Sequence, residues 1–220
     1  MPDLARPAAI IFDLDGTLVD TVGARIAGWS EVFAESGIPA TRAQIEPMIG
    51  MDGRRLATEV AHAAGVELDA DGAEALDRRA GALFDDQNRE PRPLPGAREC
   101  LARLDAAGLT WAIATSSRAE QVAASVAALG LGHQPRIVDG SAVEHAKPAP
   151  DLLLLAAKQL DAAPDACWYV GDSTWDMRSA VAAGMRAIGV VAGAAVDRDA
   201  LCEAGADVVI DTLDDLEPPA

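Results

Sequence analysis

Basic residues, cysteines and long apolar runs are all scarce in this sequence. Lys and Arg account for 18 of the 220 residues, against 35 Asp and Glu, so the formal net charge is −17. A nucleic-acid partner requires a basic footprint, and anionic membrane surfaces attract basic segments. The charge therefore argues against nucleic acid and membranes as partners. A phosphorylated small molecule stays compatible with it, because a bound cation can reverse the local field.

The cysteines are few, odd in number and far apart, at Cys100, Cys167 and Cys202. None has the close spacing of a metal-binding pair, so we predict three buried thiols in a reducing compartment. We also expect no signal peptide, because no basic segment precedes a short apolar run at the amino terminus. No apolar run approaches the roughly 20 residues that span a bilayer. These absences predict a soluble, cytoplasmic protein.

The apolar pattern changes once along the chain. Residues 20–89 contain helical periodicity and no convincing strand, whereas strands and helices alternate beyond Gly96. Such alternation predicts an α/β fold with a doubly wound parallel sheet. The predicted strands are 8–12, 110–115, 136–139, 166–171, 186–191 and 207–210. The predicted helices are 22–36, 41–48, 54–64, 70–87, 97–107, 118–129, 150–160, 175–183 and 198–204. Residues 211–220 look like an acidic tail.

Two short connections divide the chain into a core and an insert. Residues 90–96 are rich in proline and stiff, and residues 18–21 lie just after the first predicted strand. We predict a catalytic core formed by 1–19 and 92–220, and an α-helical cap domain formed by 20–91. The two connections would act as hinges, so the cap would open and close over the end of the first strand.

Two carboxylates follow the first predicted strand, at Asp13 and Asp15. Alternate side chains of an extended backbone point the same way, so both would face one site at the carboxyl end of the strand. Carboxylates this close repel unless a cation or a shared proton intervenes, and Mg²⁺ prefers oxygen ligands. Taken alone, an Asp after a strand is equally explained as a turn former or a helix N-cap.

Other polar residues follow later strands. Thr115 and Ser116 would hold a phosphoryl oxygen with hydroxyl and backbone N–H groups, or would simply cap a helix. Lys147 lies in a proline-stiffened loop and would meet the carboxylates, unless it is a solvated surface lysine. Asp172 ends a strand as Asp13 does, and Asp176 follows one helical turn later; here too the alternative is a capping residue.

In this order the segments resemble the four motifs of the haloacid dehalogenase-like superfamily, over nearly the whole chain. Residues 13–18 (DLDGTL) match the first motif and Thr115 the second. Lys147, in the sequence KPAPD, matches the third, and residues 171–176 (GDSTWD) match the fourth. A helical cap inserted between the first two motifs also fits. The chain looks most like the branch that contains phosphoglycolate phosphatases and β-phosphoglucomutases.

This resemblance implies a mechanism for a small phosphate ester. Asp13 would attack phosphorus to give an aspartyl-phosphate, and Asp15 would protonate the leaving oxygen and then deprotonate a water. Mg²⁺ would be held by the Asp13 carboxylate, the main-chain carbonyl of Asp15 and Asp172. Asp176 would orient Lys147 or a water on the metal.

The resemblance also implies how the transferring group is held. Thr115, Ser116 and Lys147, together with a main-chain amide near Leu14, would bind the phosphoryl oxygens. Family members that cleave carbon–halogen or carbon–phosphorus bonds lack an acid two residues after the nucleophile. Asp15 therefore indicates ester hydrolysis or phosphoryl transfer.

Substrate choice is left open by the sequence. The cap loop that includes Gly50, Arg54 and Arg55 tends to reach the substrate in the resembling family, and Arg25 lies on the first cap helix. These arginines would bind a second anion, such as a carboxylate, or would be solvated.

Two alternatives stand beside a phosphatase: a sugar-phosphate mutase and a non-enzymatic, receiver-like phospho-switch. The resembling mutases carry a His on the first cap helix and an acidic residue before the last motif's Asp, where this chain has Arg25 and Gly171. Receivers usually have no cap and place their Asp on a later strand. We favour hydrolysis by a monomer or homodimer.

Overall fold

A six-stranded parallel sheet forms the centre of the computed structural model, which describes residues 5–218. The strands are β1 (Ala9–Phe12), β2 (Thr110–Ala114), β3 (Ile137–Val138), β4 (Cys167–Gly171), β5 (Arg186–Val190) and β6 (Val208–Ile210). They lie in the order β3-β2-β1-β4-β5-β6, and every neighbouring pair is parallel. The predicted α/β fold with a doubly wound sheet is thereby confirmed, and each predicted strand lies within two residues of its observed bounds.

Nine α-helices accompany the sheet in residues 5–218. They are α1 (Val22–Glu35), α2 (Arg42–Ile45), α3 (Gly53–Ala63), α4 (Ala70–Gln87), α5 (Ala97–Ala106), α6 (Ala119–Ala128), α7 (Asp151–Gln159), α8 (Thr174–Ala183) and α9 (Arg198–Glu203). Short 3-10 turns cover Glu46–Met48, Gly140–Ala142, Pro164–Ala166 and Leu213–Asp215. In the part of the chain that is described, no helix combines the length and apolar character needed to cross a bilayer.

Both faces of the sheet are covered, which explains why its strands read as continuous apolar runs rather than alternating ones. On one face, Phe12, Trp111 and Val170 pack with buried residues of α5 and α6. On the other face, Ile11 and Tyr169 pack with residues of α7, α8 and α9. This part of the protein therefore has three layers, with the sheet between two layers of helices.

The four helices α1 to α4 pack mainly on each other. Their buried residues form a separate apolar cluster, in which Trp29 and Phe33 of α1 stack with ring centroids 5.5 Å apart. Trp175, at the start of α8, also belongs to this cluster, and its indole N–H donates to the Pro47 carbonyl at 2.8 Å. The helical unit thus has its own core and is fastened to the sheet layer at Trp175.

The two connections to the helical unit run side by side. Val19 and Pro93 form an antiparallel bridge. The Asp20 N–H donates to the Arg92 carbonyl at 2.8 Å, and the Leu94 N–H donates to the Leu18 carbonyl at 3.0 Å. The two connections are therefore hydrogen-bonded to each other as a short ribbon, and their role as hinges stays a prediction.

Two expectations from the sequence are wrong. Residues 211–218 are not a free acidic tail, because Leu213 and Leu216 are buried against α5 and the sheet. Cys202 is exposed, whereas Cys100 and Cys167 are buried as predicted. The six-residue helix α9 turns Leu201 into the core, and the next residue lies about 100° further around the helix, facing solvent.

Candidate active site

The carboxyl ends of three adjacent strands place the predicted site residues together. Phe12, the last residue of β1, is level with Ile113 of β2 and Val170 of β4. Asp13 follows directly, and Thr115 and Asp172 come just after the ends of β2 and β4. The strand order changes direction between β1 and β4, which is where open α/β sheets bind ligands.

A tight turn after Asp15 depends on Gly16. Its φ angle is 85°, and a Cβ at this position would lie 2.3 Å from Oδ2 of Asp172. A side chain here would therefore be strained and would displace that carboxylate. The turn also brings Thr17 close, and its hydroxyl donates to Oδ1 of Asp172 at 2.8 Å. The DLDGTL and GDSTWD segments are therefore in direct contact, through Gly16 and Thr17 of the first and Asp172 of the second.

Lys147 is a buried cation between two carboxylates. Its ammonium donates to Oδ1 of Asp13 and lies 2.8 Å from Oδ1 of Asp176, and its side chain is 1% exposed. Burial alone would lower the pKa of Lys147, but the two carboxylates outweigh it and raise that pKa, so the lysine stays charged. The surface-lysine alternative is excluded.

Asp13 has a strongly shifted pKa. Burial, together with the neighbouring Asp176 and Asp15, raises the pKa of Asp13 to about 7 against the opposing effect of Lys147. The pKa of Asp172 is raised well above its usual range, first by burial and then by Asp176 and Asp13. Burial and the neighbouring carboxylates thus both disfavour the ionised forms of Asp13 and Asp172.

Asp176 is held firmly by groups that surround it. The Tyr169 hydroxyl donates to Oδ1 at 2.8 Å, and the Ser173 N–H and hydroxyl donate to Oδ2 at 3.0 and 2.6 Å. Gly171 makes room for it, because a Cβ there would lie 2.5 Å from the Asp176 side chain. Asp176 caps α8, as the alternative interpretation held, and it also contacts Lys147.

Asp13, Asp172 and Asp176 bring carboxylate oxygens within 4.8 Å of one another, all buried. Oxygen donors of this kind suit a hard divalent cation. The raised pKa values of Asp13 and Asp172 fit the same conclusion, because two positive charges would relieve their repulsion. These residues can hold a metal ion.

Asp15 points to a different set of partners. Arg25 of α1 donates to it at 3.0 Å, the Thr21 hydroxyl at 2.7 Å and the Ser117 hydroxyl at 2.5 Å. Burial opposes ionisation of Asp15, but Arg25 and these hydrogen bonds prevail and hold its pKa below the usual range. Asp13 and Asp15 thus sit in opposite electrostatic environments.

A cavity of about 450 Å³ opens over the strand ends, between the sheet layer and the helices α1, α3 and α4. Thr115, itself buried, lines it and accepts a hydrogen bond from the Ser117 N–H at 3.1 Å. The Ser116 hydroxyl donates to the Gly50 carbonyl at 3.3 Å, so the predicted cap loop touches the loop after β2.

Arg54 and Arg55, the other arginines proposed from the sequence to bind a second anion, differ in their position relative to the cavity. Arg54 lines the cavity and donates to Asp52 at 3.1 Å, and it is half exposed. Arg55 does not line the cavity. Its guanidinium lies 3.5 Å from the Glu59 carboxylate and 5.8 Å from the centre of the Trp175 ring. The structure therefore brings Arg25 and Arg54, but not Arg55, to the cavity.

Among the polar residues at the site that were not singled out from the sequence, four contact the strand-end carboxylates: Thr17, Thr21, Ser117 and Tyr169. Thr17 lies inside the DLDGTL segment, and Ser117 directly follows Thr115 and Ser116, so position alone was a signal for both. Tyr169 is the one tyrosine of the chain, on a buried strand two residues before Gly171. A buried phenol requires a hydrogen-bond partner, and that need was the available signal.

Comparison with known proteins agrees with this geometry. A family model described as "Haloacid dehalogenase-like hydrolase" matches residues 10–190. A phosphoglycolate phosphatase from Xanthomonas campestris pv. campestris (strain 8004) is 34% identical, over 97% of this chain and 96% of its own length. An N-acetylmuramic acid 6-phosphate phosphatase from Pseudomonas aeruginosa is 32% identical, over 94% of this chain and 91% of its own length.

A solved structure is similar over the same extent. The crystal structure of a hydrolase from Pseudomonas syringae superposes with a TM-score of 0.89 and is 34% identical in sequence. The match covers 93% of this chain and 94% of that chain. The similarity therefore includes the sheet layer and the helices over the cavity.

Proposed function

Since the chain belongs to the haloacid dehalogenase-like hydrolases and its relatives are phosphatases, we propose that it is a Mg²⁺-dependent phosphatase acting through an aspartyl-phosphate. Its substrate would be a small phosphorylated metabolite. One observation carries the proposal: the buried Asp13 contacts Lys147 and shares a carboxylate cluster with Asp172, while Asp15, two residues on, faces the cavity from a separate environment.

In the first step, an oxygen of Asp13 forms a bond to phosphorus and the bond to the leaving oxygen breaks. Lys147 holds the nucleophile in place, and Thr115 and Ser116 offer hydroxyl and N–H groups to the phosphoryl oxygens. The leaving alkoxide takes a proton from Asp15. A bound phosphate dianion raises the pKa of this carboxyl, which helps it to carry the proton at that stage.

In the second step, a water attacks the phosphorus of the aspartyl-phosphate. Asp15, now ionised, takes a proton from that water, and the bond between Asp13 and phosphorus breaks to release inorganic phosphate. The lowered pKa of Asp15 suits the ionised state between the two transfers. Arg25, Thr21 and Ser117 position the carboxylate for both.

Asp13 and Asp172 are the side chains that would hold Mg²⁺, with the main-chain carbonyl of Asp15. When bound, the ion would offset the negative charge that the phosphate meets at the nucleophile. Asp176 would act indirectly, because Tyr169, Ser173 and Lys147 already engage its oxygens.

A mutase is less well supported by the same contacts. Arg25 occupies the cap-helix position of the mutase His and is paired with Asp15, and arginine stays protonated, so it cannot act as a proton switch. An acidic side chain in place of Gly171 would collide with Asp176. The receiver-like alternative is wrong, since the relatives are phosphatases over nearly the whole chain. A monomer or homodimer in the cytoplasm remains a prediction.

The decisive experiment is a screen of phosphorylated metabolites with Mg²⁺, scored by free phosphate. Asp13→Asn should abolish turnover, because an amide cannot form the acyl-phosphate. The matched control is Asp20→Asn, an exposed carboxylate seven residues further on, which should keep wild-type activity. Turnover by the folded Asp13→Asn protein at the wild-type rate would refute the covalent mechanism.

The same enzyme should be given β-glucose 1-phosphate with a trace of the 1,6-bisphosphate and followed by ³¹P NMR. Inorganic phosphate without an isomerised product supports hydrolysis. Glucose 6-phosphate that accumulates faster than phosphate would establish the mutase instead.

A further inference from the structure

The cavity over Asp13 and Asp15 has an excess of negative charge on the side away from the nucleophile. Its described lining contains six carboxylates and three guanidinium groups. Asp13 and Asp15 belong to the reaction site. The other four carboxylates line the cavity outside the strand-end cluster, where we expect the leaving group of a bound ester to lie: Asp52, Glu74, Asp77 and Glu144.

Each of the three lining arginines is already paired, in the part of the chain that is described. Arg118, at the start of α6, donates to both oxygens of Glu74 at 3.1 Å and also contacts Asp77. Arg54 donates to Asp52 at 3.1 Å. A second anion on the substrate would have to compete with these carboxylates for the guanidinium groups.

Arg25 is committed even more completely. Besides Asp15, it donates to the Ser117 hydroxyl at 2.6 Å and to the Gln121 side-chain carbonyl at 3.4 Å. Its guanidinium also lies 3.5 Å from the centre of the Phe84 ring. Moving Arg25 to a substrate carboxylate would remove a partner from Asp15.

Glu74 keeps its negative charge at neutral pH. Hydrogen bonds from Arg118 and Arg78 lower the pKa of Glu74 to about 2. Burial raises the pKa of Asp77 against the opposing effect of Arg118, and the nearby Asp52 and Glu74 make a smaller contribution to the rise. A substrate carboxylate placed in this space would meet like charges that no unpaired cation of the described lining offsets.

The rest of the lining suits a polyhydroxylated group. The carboxylate oxygens can accept hydrogen bonds from substrate hydroxyls. The side-chain oxygens of Ser116, Ser141 and Gln121, which also line the cavity, can accept them too. Trp29, Ile49 and Leu56 supply apolar surface for C–H groups. The volume of about 450 Å³ lies within the range that encloses whole small molecules.

We propose, on the basis of the phosphatase function proposed above, that this cavity selects phosphate esters with an uncharged, hydroxyl-rich leaving group and rejects esters that carry a second anion. Glu74 and Asp77 determine this specificity by occupying Arg118 and by adding their own charge. The sequence left open whether Arg25 or Arg54 binds a second anion, and the contacts argue against both.

The test compares pairs of phosphate esters in which one member has a neutral hydroxymethyl group where the other has a carboxylate. Glucitol 6-phosphate and 6-phosphogluconate differ in a terminal CH₂OH or carboxylate group, and 2-hydroxyethyl phosphate and 2-phosphoglycolate form a shorter pair. We expect kcat/KM to be about tenfold higher for the uncharged member of each pair. The ratio should shrink at high ionic strength, because salt screens charge repulsion and does not alter shape.

A double variant, Glu74→Gln with Asp77→Asn, frees Arg118 and removes two negative charges. We expect it to improve kcat/KM for the carboxylate esters relative to their partners by about tenfold. Glu35→Gln is the matched control: Glu35 pairs with Arg79 across α1 and α4, is half exposed and does not line the cavity. It should leave the ratio unchanged.

Each result has a distinct meaning. A ratio near one, a preference for the carboxylate esters, or a ratio insensitive to salt in the wild-type protein would overturn the inference and leave the phosphatase function intact. Hydrolysis of p-nitrophenyl phosphate without hydrolysis of either uncharged ester would also overturn it. No phosphate from any ester, p-nitrophenyl phosphate included, would refute the proposed function itself.

Discussion

Removal of the metal should make the protein's stability fall as pH rises, because of the carboxyl cluster at the strand ends. The pKa of Asp13 is about 7 in the folded protein, against an ordinary value of 3.8. Between these values the folded protein holds a proton that the unfolded chain has lost. Stability is therefore highest at the acidic end of this interval and is lost as pH rises toward the folded pKa.

The magnitude follows from the pKa values. Each pH unit well inside this interval costs about 1.4 kcal/mol, and the slope flattens near the folded pKa, so the loss between about pH 5 and pH 8 is about 3 kcal/mol. Asp172, whose pKa is also raised, adds to it. For a chain of this length, 3 kcal/mol corresponds to a fall in Tm of roughly 6–12 °C. The lowered pKa values of Asp15 and Glu74 exert their effect at more acidic pH, outside this window.

The assay is urea unfolding at about pH 5, 6, 7 and 8, in EDTA and in Mg²⁺. The free energy of unfolding should fall with pH in EDTA, and Mg²⁺ should abolish or reverse that fall, because a cation favours ionised carboxylates. Asp13→Asn should flatten the EDTA profile. Both proteins should carry His133→Gln, because Asp105 raises the pKa of this exposed histidine, which would titrate in the same window.

A metal-free protein that is equally stable at pH 5 and pH 8, or more stable at pH 8, would contradict this reasoning. An unchanged slope in Asp13→Asn would place its origin elsewhere in the molecule.

Other predictions test single contacts. EDTA should stop turnover and Mg²⁺ restore it, with Ca²⁺ a poor substitute because it takes more ligands at longer distances; full activity after complete metal removal would contradict this. Leu213→Ala should cost about 3 kcal/mol of unfolding free energy and the exposed Leu154→Ala less than about 1, measured by urea unfolding. Tyr169→Phe should cost about 1 kcal/mol in the same assay, through its lost bond to Asp176. Gly171→Ala should displace Asp176 and lower kcat more than about tenfold, and wild-type kcat would show that the site tolerates the methyl group.

The residues at the strand ends were predictable from the sequence because of a general property of parallel sheets. Asp13, Thr115 and Asp172 each follow a buried strand, and the carboxyl ends of neighbouring strands meet at one edge. The glycine in DLDGTL indicated a turn, and the structure adds the reason: Asp172 occupies the space a Cβ would need.

The contacts of the arginines were not predictable. Arg25 reaches Ser117 and Gln121 across more than 90 residues of sequence, and Arg118 reaches Glu74 and Asp77 across more than 40. These pairs depend on where the helical unit sits relative to the sheet, which local periodicity does not encode. Leu213 was missed for another reason: in a segment dominated by acidic residues, isolated leucines give no periodic signal.

The ribbon formed by Leu18–Asp20 and Arg92–Leu94 has a mechanical consequence for the helices above the cavity. Two strands tied side by side bend readily about an axis across the ribbon, but sliding one past the other breaks the hydrogen bonds between them. We therefore predict that the helical unit swings on this ribbon rather than rotating about its attachment. We expect such a swing to separate Arg118 from Glu74 and Asp77 together, and to restore the same pairs when it reverses. Each closure would return the cavity to the same arrangement of charges.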